Sequence, residues 1–325
     1  MPSAKNNFGG IMNKKILTAM TAGFLSCFVS LAWAERPSGD ATCEFPGGAY
    51  YKSNNTMYLE SLNDEDARVV ISNETVQCMN TNAQGDFNLV VQRNTKLAAN
   101  STIVLPVRYA SKNNCVKLYE VVNFSTDDEG NWGVTAKHLK GDGDANKPML
   151  LLTDTDREEC QDIKEIEFKA SNLQSTEHAI TYVWLYNDKT HDNDWSFEGT
   201  YSYVRWEKDN ADLGTIYGYA AKNKGKVEAG HFARLGTGAY VPPLRAYLKY
   251  IGKTPLKKSV ESIVELPETI DVTLIEDEGT TRIVRLNTVT GEIKKMNGVY
   301  DLKGRKLNSK PQNKGMFIGN TDIQK

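Results

Sequence analysis

Short apolar segments separated by polar turns run along most of the chain. Aliphatic and β-branched residues dominate these segments, at residues 69–71, 88–91, 102–107, 116–119, 149–152 and 163–168. Segments of this length and composition are typical of β-strands. No long amphipathic helical stripe is visible in the sequence, and residues 254–263 are the best helical candidate. The pattern therefore predicts an all-β fold, a β sandwich over about residues 35–252.

The spacing of these segments divides the chain into five parts. They are a leader at 1–34, a strand-rich N-terminal segment at 35–86, a β-sandwich domain at 87–252, a connector at 253–282, and a small C-terminal β tail at 283–325. The segment 35–86 is either a separate lead-in or part of the same sandwich. The connector is rich in Pro, Lys and Glu, although residues 270–274 could still pair as an edge strand.

The leader has the three parts of a secretory signal peptide. Lys14 and Lys15 form a basic start, an apolar run follows over 16–33, and Ala32 and Ala34 frame an A-x-A end. A membrane anchor is the alternative, but the run is barely long enough to span a bilayer and no basic residues stop it. We therefore expect cleavage after Ala34 and export to the outer cell surface or the medium, with the periplasm as the alternative.

The cysteines fit an exported protein. Of the five in the chain, Cys27 lies in the leader, which leaves Cys43, Cys78, Cys115 and Cys160. Four cysteines in an oxidising compartment predict two disulfides, with three possible connectivities. We favour Cys43–Cys78 and Cys115–Cys160, because each bridge then stays within one strand-rich segment. A zinc site is the alternative, but no two cysteines have the close C-x-x-C spacing typical of zinc ligands.

Composition excludes several classes of function. A formal net charge of −2 offers no basic field for nucleic acid, and four His leave little material for a His-rich metal site. The sequence also contains no phosphate-binding loop, dinucleotide fingerprint, H-E-x-x-H motif or nucleophile elbow. We therefore expect no cofactor and no nucleic-acid partner.

The C-terminal part of the chain resembles a known kind of tail. Val299-Tyr300-Asp301-Leu302-Lys303-Gly304-Arg305-Lys306-Leu307 is followed by Lys314-Gly315-Met316-Phe317-Ile318. This arrangement is similar to the short tails that end many secreted and surface proteins of anaerobic Gram-negative gut and rumen bacteria. Those tails resemble the sorting domains that the type IX secretion system reads. The resemblance implies a secretion-machinery partner, and Lys303-Gly304 predicts a hairpin turn within the tail.

A second resemblance covers about residues 87–252. It joins the segments 100–106, 145–150, 194–201, 217–221 and 241–248. Their order resembles an uncharacterised β-rich domain that precedes the same tail in many such surface proteins. This resemblance implies a secreted or surface-associated protein and transfers no catalytic residues.

Aromatic residues concentrate between positions 182 and 206. They are Tyr182, Trp184, Tyr186, Trp195, Phe197, Tyr201, Tyr203 and Trp206. Because strand residues alternate between faces, Tyr182, Trp184 and Tyr186 share one side of a strand. Such a face could stack on sugar rings, and the alternative is a sandwich core. If the stretch binds a ligand, the candidate residues are Trp184, Tyr186, Tyr203 and Trp206.

Two acidic constellations could carry other chemistry. Asp142, Asp144 and Asn146 match the first ligand positions of a calcium loop, but Lys147 and Thr153 depart from its later positions, and turn formation is the alternative. Asp192, Asp194 and Glu198 could supply the paired carboxylates of glycoside hydrolysis, although surface loops commonly carry such acids. The four histidines, His138, His178, His191 and His231, are scattered among polar neighbours and are expected at the surface.

Three hypotheses of function follow from these observations. The first is a non-enzymatic secreted or surface protein that binds polysaccharide or another envelope component through the face at 182–206. The second is a purely structural envelope or matrix protein whose aromatic residues form a core. The third is a glycan-active enzyme, which would need two acids flanking a cleft.

Overall fold

Strands are by far the main regular secondary structure in the computed structural model of the protein, so the predicted all-β class is confirmed. The structure describes residues 37, 39–83, 85–93, 100–112, 115–126, 131–153, 160, 165–186, 194–223, 225, 227–252 and 266–276, and six short strands beyond residue 283. The expected leader and the helical candidate at 254–263 lie outside the described residues.

The elements follow one another in chain order. Up to residue 138 they are β1 (Cys43–Phe45), β2 (Gly48–Tyr51), β3 (Thr56–Ser61), α1 (Asn73–Asn82), β4 (Phe87–Arg93), β5 (Asn100–Ile103), β6 (Arg108–Ser111), β7 (Val116–Thr126) and β8 (Trp132–His138). Up to residue 275 they are β9 (Met149–Thr153), β10 (Glu165–Ser171), β11 (Tyr182–Leu185), β12 (Trp195–Thr200), β13 (Val204–Trp206), β14 (Ile216–Tyr219), β15 (Phe232–Arg234), β16 (Ala239–Val241), β17 (Arg245–Tyr250) and β18 (Thr269–Ile275). The remaining strands are β19 (Val284–Asn287), β20 (Glu292–Lys295), β21 (Val299–Tyr300), β22 (Lys306–Leu307), β23 (Phe317–Ile318) and β24 (Ile323–Gln324).

The first sheet joins the N-terminal segment to the central domain. Its strand order is β1-β2-β3-β4-β10-β6, and β3 and β4 are parallel neighbours. Parallel neighbours cannot be joined by a tight turn, so the chain crosses over between them through α1. The described strands of the N-terminal segment, β1 to β3, therefore share a sheet and a hydrophobic core with β4, β6 and β10.

Helix α1 is the one helix among the described residues, and the apolar pattern did not predict it. Ser72 caps its N-terminus, where its hydroxyl accepts a hydrogen bond from the backbone N–H of Thr75. The helix is short and mostly polar, and only Met79 is buried. The Cys43–Cys78 disulfide ties the helix to β1.

The favoured disulfide connectivity is confirmed. The bridges are Cys43–Cys78 and Cys115–Cys160, which close loops with sequence separations of 35 and 45 residues. Loops of this size are expected to stabilise the fold by about 4 kcal/mol each through chain entropy, as an upper figure. Two disulfides indicate an oxidising compartment.

A second, larger sheet shares strands with both hydrophobic cores. Its order is β11-β12-β17-β14-β15-β18-β8-β7-β9-β5. Strand β9 is buried along its whole length, with Met149 and Leu151 in the core under the first sheet and Leu150 and Leu152 in the other core. A strand that is buried on both faces reads as a continuous apolar run, as residues 149–152 do. The described chain is thus a layered β sandwich with one short helix.

The long strand β7 lies near one end of the second sheet's strand order and also contacts β11 at the other end, so the sheet bends back on itself. Residues Val116–Tyr119 pair with β9, whereas Phe124 donates its backbone N–H to the carbonyl of Tyr186, just after β11, at 3.2 Å. On the other side, Thr102 of β5 bonds to Ala246 of β17 through its hydroxyl. These contacts enclose the second core, in which Trp195 and Phe197 are completely buried.

The strand that the sequence allows at 270–274 is present as β18, but it lies inside the sheet rather than at its edge. It pairs antiparallel with β15 and parallel with β8, although the sequence places it within the expected connector 253–282. Ile270 and Leu274 point into the second core and are 0% and 6% exposed. A buried strand needs partners on both sides, and two distant strands provide them here.

A histidine–aspartate pair joins β18 to the residue before β15. His231 Nε2 lies 3.2 Å from Asp271 Oδ1, and this hydrogen bond is the main reason that the pKa of His231 lies above its ordinary value of 6.5. The stability that the charged pair adds is therefore complete below the unfolded value of 6.5 and is lost as the pH rises through the higher folded pKa.

Replacing this histidine should make stability less dependent on pH. For His231→Gln we expect a loss of up to about 1 kcal/mol at about pH 5.5, a small value because both groups are partly exposed. The difference from wild type should approach zero above about pH 8. Urea unfolding of both proteins at several pH values measures it. A difference that stays constant with pH would show that the ion pair does not contribute.

Of the described tail strands, β19 pairs antiparallel with β18 and with β20 and so extends the second sheet. The last four form a separate four-stranded sheet with the order β22-β21-β23-β24. Strands β21 and β22 pair antiparallel, as the alternating pattern around Lys303-Gly304 predicts, although these two turn residues lie outside the described residues. Within the described part of the chain, no helix is long and apolar enough to cross a membrane.

Candidate functional site

The exposed aromatic residues of the predicted stretch lie on β11. Tyr182 and Trp184 point outward and are 43% and 49% exposed, whereas Leu185 points into the second core. Their rings meet edge to face, with centroids 5.0 Å apart. Tyr186, directly after the strand, is 44% exposed. Large aromatic side chains that remain this accessible side by side are typical of a contact surface.

A carboxylate lies beside these rings on the neighbouring strand. In the β11–β12 register, Tyr182 faces Glu198 and Trp184 faces Ser196. Directly paired residues of antiparallel strands have Cβ atoms about 5 Å apart and share a face of the sheet. We call Tyr182, Trp184, Tyr186 and Glu198 the β11 face.

Hydrogen bonds hold Glu198 in position. The Ser196 hydroxyl donates to Oε1 at 2.6 Å, and the Tyr247 hydroxyl donates to Oε2 at 3.1 Å. Burial raises the pKa of Tyr247, and the negative charge of Glu198 adds to the effect. Glu198 keeps part of its surface exposed, and each of its oxygens has a second lone pair, so it can still accept hydrogen bonds from a ligand.

The other aromatic residues of the stretch belong to the packed interior. Trp195 and Phe197 are fully buried in the second core, and Tyr201 is 8% exposed in the first. The structure also removes Trp206 from the ligand candidates, because it is only 2% exposed. Its ring packs edge to face on Tyr247, with centroids 5.2 Å apart, within the small cluster beneath the paired strands β13 and β16.

Tyr203 lies on a different sheet from the β11 face. It precedes β13 and stacks on Tyr240 of β16, with centroids 5.3 Å apart. Tyr240 is 47% exposed. Sequence reasoning missed Tyr240, because it lies outside the aromatic-rich stretch, and only the pairing of β13 with the sequence-distant strand β16 brings it to Tyr203.

The acids proposed for glycoside hydrolysis lie only partly within the described residues. Asp192 lies outside the described residues, and the backbone carbonyl of Asp194 binds the N–H groups of Ile251 and Gly252. Glu198 is therefore the acid that the structure brings to the aromatic rings. Hydrolysis requires two carboxyl groups flanking the sugar, whereas binding requires only one acceptor.

The calcium candidates have other partners. Asp142 pairs with Arg108 at 3.2 Å. The Asn146 amide donates to Gln174 Oε1 at 2.8 Å, and its oxygen accepts from the Tyr201 hydroxyl at 2.6 Å. Turn formation and packing therefore explain Asp142 and Asn146, and the backbone carbonyl of Asp144 accepts from the N–H of Lys147 at 3.5 Å within the same turn. The described residues contain no group of three or more His, Cys, Asp and Glu side chains that could hold a metal.

Two of the other histidines, His138 and His178, lie among the described residues. The His138 ring lies 5.3 Å from the ring of Tyr119, and His178 occupies a turn with a φ of +62°. His191 lies outside the described residues.

Comparison with known proteins yields no similarity that could identify the site. The chain matches no protein-family model, no curated protein and no solved structure. The candidate function therefore rests on the geometry of the β11 face.

Proposed function

We propose that this protein is a non-enzymatic polysaccharide-binding protein of an extracytoplasmic compartment and that the β11 face is its binding surface. The observation that carries the proposal is the pair Tyr182 and Trp184, each close to half exposed on one strand face beside Glu198. A hydrophobic core would bury these rings, as it buries Trp195.

The chemistry of the face suits a sugar. An aromatic ring packs against the apolar C–H face of a pyranose, and a carboxylate accepts hydrogen bonds from the hydroxyl groups at its rim. Positions Tyr182 to Tyr186 extend over about 13 Å along the strand direction. That length accommodates more than one sugar ring and therefore favours a chain over a monosaccharide.

The rigidity of the sheet supports binding. Strand β11 pairs with β12, and the carbonyl of Tyr186 is fixed by Phe124 of β7. Side chains held on paired strands lose little conformational freedom when a ligand binds, so more of the contact energy appears as affinity.

The location of the protein supports the same proposal. The two disulfides indicate an oxidising compartment. We propose that the leader directs export and that the C-terminal tail engages secretion machinery, which would place the protein at the outer cell surface or in the medium, with the periplasm as the alternative. Polysaccharides of the envelope or of plant fibre are present at these sites.

Truncating Trp184 should abolish most of the binding. For Trp184→Ala we expect affinity to fall about tenfold or more, because a central aromatic anchor typically contributes over 1 kcal/mol. Pull-down with insoluble polysaccharides, followed by titration against the best oligosaccharide from a glycan array, measures the change.

A matched control separates the β11 face from exposed aromatics in general. Tyr240→Ala removes a similarly exposed ring on another sheet and should leave binding unchanged. The proposal is wrong if wild type binds nothing across a broad panel, or if Trp184→Ala binds as well as wild type. Either result would favour the purely structural hypothesis.

A further inference from the structure

Two arginines approach each other where β4 and β17 meet β5. Arg93, the last residue of β4, is 7% exposed. Its Nη1 donates to Ser101 Oγ at 2.9 Å, and its Nη2 lies 3.4 Å from the carbonyl oxygen of Thr102. Ser101 and Thr102 belong to β5.

Arg245, the first residue of β17, approaches the same carbonyl group. Its Nη1 lies 3.5 Å from the Thr102 oxygen. The Thr102 hydroxyl bonds to both backbone groups of Ala246, which holds β5 against β17 at this point. The two guanidinium groups, which we call the arginine pair, therefore converge on one backbone oxygen.

No negative charge compensates the arginine pair within the described part of the chain. Neither guanidinium forms an ion pair there, and the Nε atoms of both are buried without a hydrogen-bond partner. Burial lowers the pKa of Arg93 well below its ordinary value, and the charge of Arg245 adds to the effect. Burial likewise lowers the pKa of Arg245 to about 10.

This arrangement is costly unless an anion completes it. Arginine stays protonated at physiological pH, so both groups carry charge. Burial removes the water that would solvate those charges, and the two like charges repel each other in a medium of low dielectric constant. Other described arginines, such as Arg108 and Arg205, are paired with acids.

We propose that the arginine pair is a binding site for an oxyanion, either a carboxylate or a sulfate group. The planar guanidinium presents its N–H groups in a fork that matches two oxygens of such an anion. Arg245 keeps part of its surface exposed, so it provides the side from which the anion enters. The anion neutralises the pair and links the first sheet to the second.

The test is a titration of the full chain, purified in a buffer without multivalent anions, with sodium sulfate at constant ionic strength. Calorimetry should detect saturable binding to one site. At a sulfate concentration of 100 times Kd, the apparent unfolding constant should fall about a hundredfold. Arg245→Met should abolish both effects, and Arg205→Met, which removes a surface arginine on another sheet, should retain them.

A parallel titration with glucuronate distinguishes the source of the anion. Saturable binding of sulfate alone would assign the site to free inorganic anions, and binding of both would extend it to acidic sugars. Both results support the proposal. The proposal is overturned if neither anion binds saturably to wild type, a result that can be obtained without any variant. It is also overturned if Arg245→Met responds to sulfate as wild type does.

Discussion

A chain that ends at Gly252 is expected not to fold, whereas a chain that ends at Thr280 is expected to fold. Both truncations remove β19 to β24. Among the described strands they differ only in β18, which the first removes and the second keeps. Because β18 lies between β15 and β8, its loss leaves each of these two strands with one neighbour instead of two and splits the sheet in the middle. The sequence, in contrast, predicts a connector over residues 253–282, with at most an edge strand at 270–274.

The size of this effect follows from what β18 buries. Ile270 and Leu274 are almost completely buried in the second core, and truncating one such residue to Ala typically costs about 2–5 kcal/mol. Together with the lost backbone hydrogen bonds, the deletion should match or exceed the total stability of a typical domain, about 5–15 kcal/mol. Circular dichroism and thermal unfolding of the two purified chains measure it.

Point variants of β18 keep the test informative if the shorter chain is insoluble. Ile270→Ala should lower the free energy of unfolding by about 2–5 kcal/mol. Thr273→Ala, at a partly buried position of the same strand, should change it by about 0.5 kcal/mol or less. Cooperative unfolding of the chain ending at Gly252 at the wild-type temperature would contradict the assigned position of β18.

Trp195→Ala is expected to destabilise the protein by about 3–5 kcal/mol, the usual range for a buried Trp or Phe. The Trp195 ring is fully buried and stacks on Phe124, with centroids 4.5 Å apart. It also meets the rings of Trp132, Tyr217 and Tyr250 at centroid distances between 5.2 and 5.8 Å. This residue joins four different strands, so its removal leaves a cavity that the sheet cannot easily close.

Two variants control for the loss of the indole ring. Trp195→Phe should cost less than Trp195→Ala, because it keeps an aromatic ring and removes an indole N–H that lacks a hydrogen-bond partner among the described residues. Trp184→Ala should change stability by about 0.5 kcal/mol or less, since that ring is at the surface. Equal losses for Trp184→Ala and Trp195→Ala in urea unfolding would contradict the distinction between the β11 face and the core.

The local pattern of the sequence was sufficient to predict the fold class and the two disulfides. Residues 88–91, 116–119 and 149–152 all lie in strands, because alternation or a continuous apolar run reflects which faces of a strand are buried. The segment 69–71 is different: Val69 and Ile71 are buried, but only a single bridge between Arg68 and Ser202 forms beside them. The burial of a segment can be predicted from its apolar composition. Whether it forms a β-strand depends on whether the fold places another strand next to it.

Helix α1 shows how a connection can override the local pattern. Its residues carry little helical periodicity, and Ser72 was the available signal of its start. The helix forms where the chain must cross between the parallel strands β3 and β4. That requirement comes from the topology and is invisible in ten residues of sequence.

The sequence by itself determined that the protein is an all-β, disulfide-bonded chain with an aromatic-rich stretch. Only the tertiary structure decided which of those aromatics face solvent: Trp184 is exposed, and Trp206 is buried under Tyr247. The tertiary structure also decided that Glu198 lies beside Tyr182, through the register of β11 and β12. It likewise brought together Arg93 and Arg245, which are 152 positions apart in the chain and meet at Thr102. Alternation along a strand specifies two faces, but long-range packing decides which face is covered and which side chains become neighbours across it.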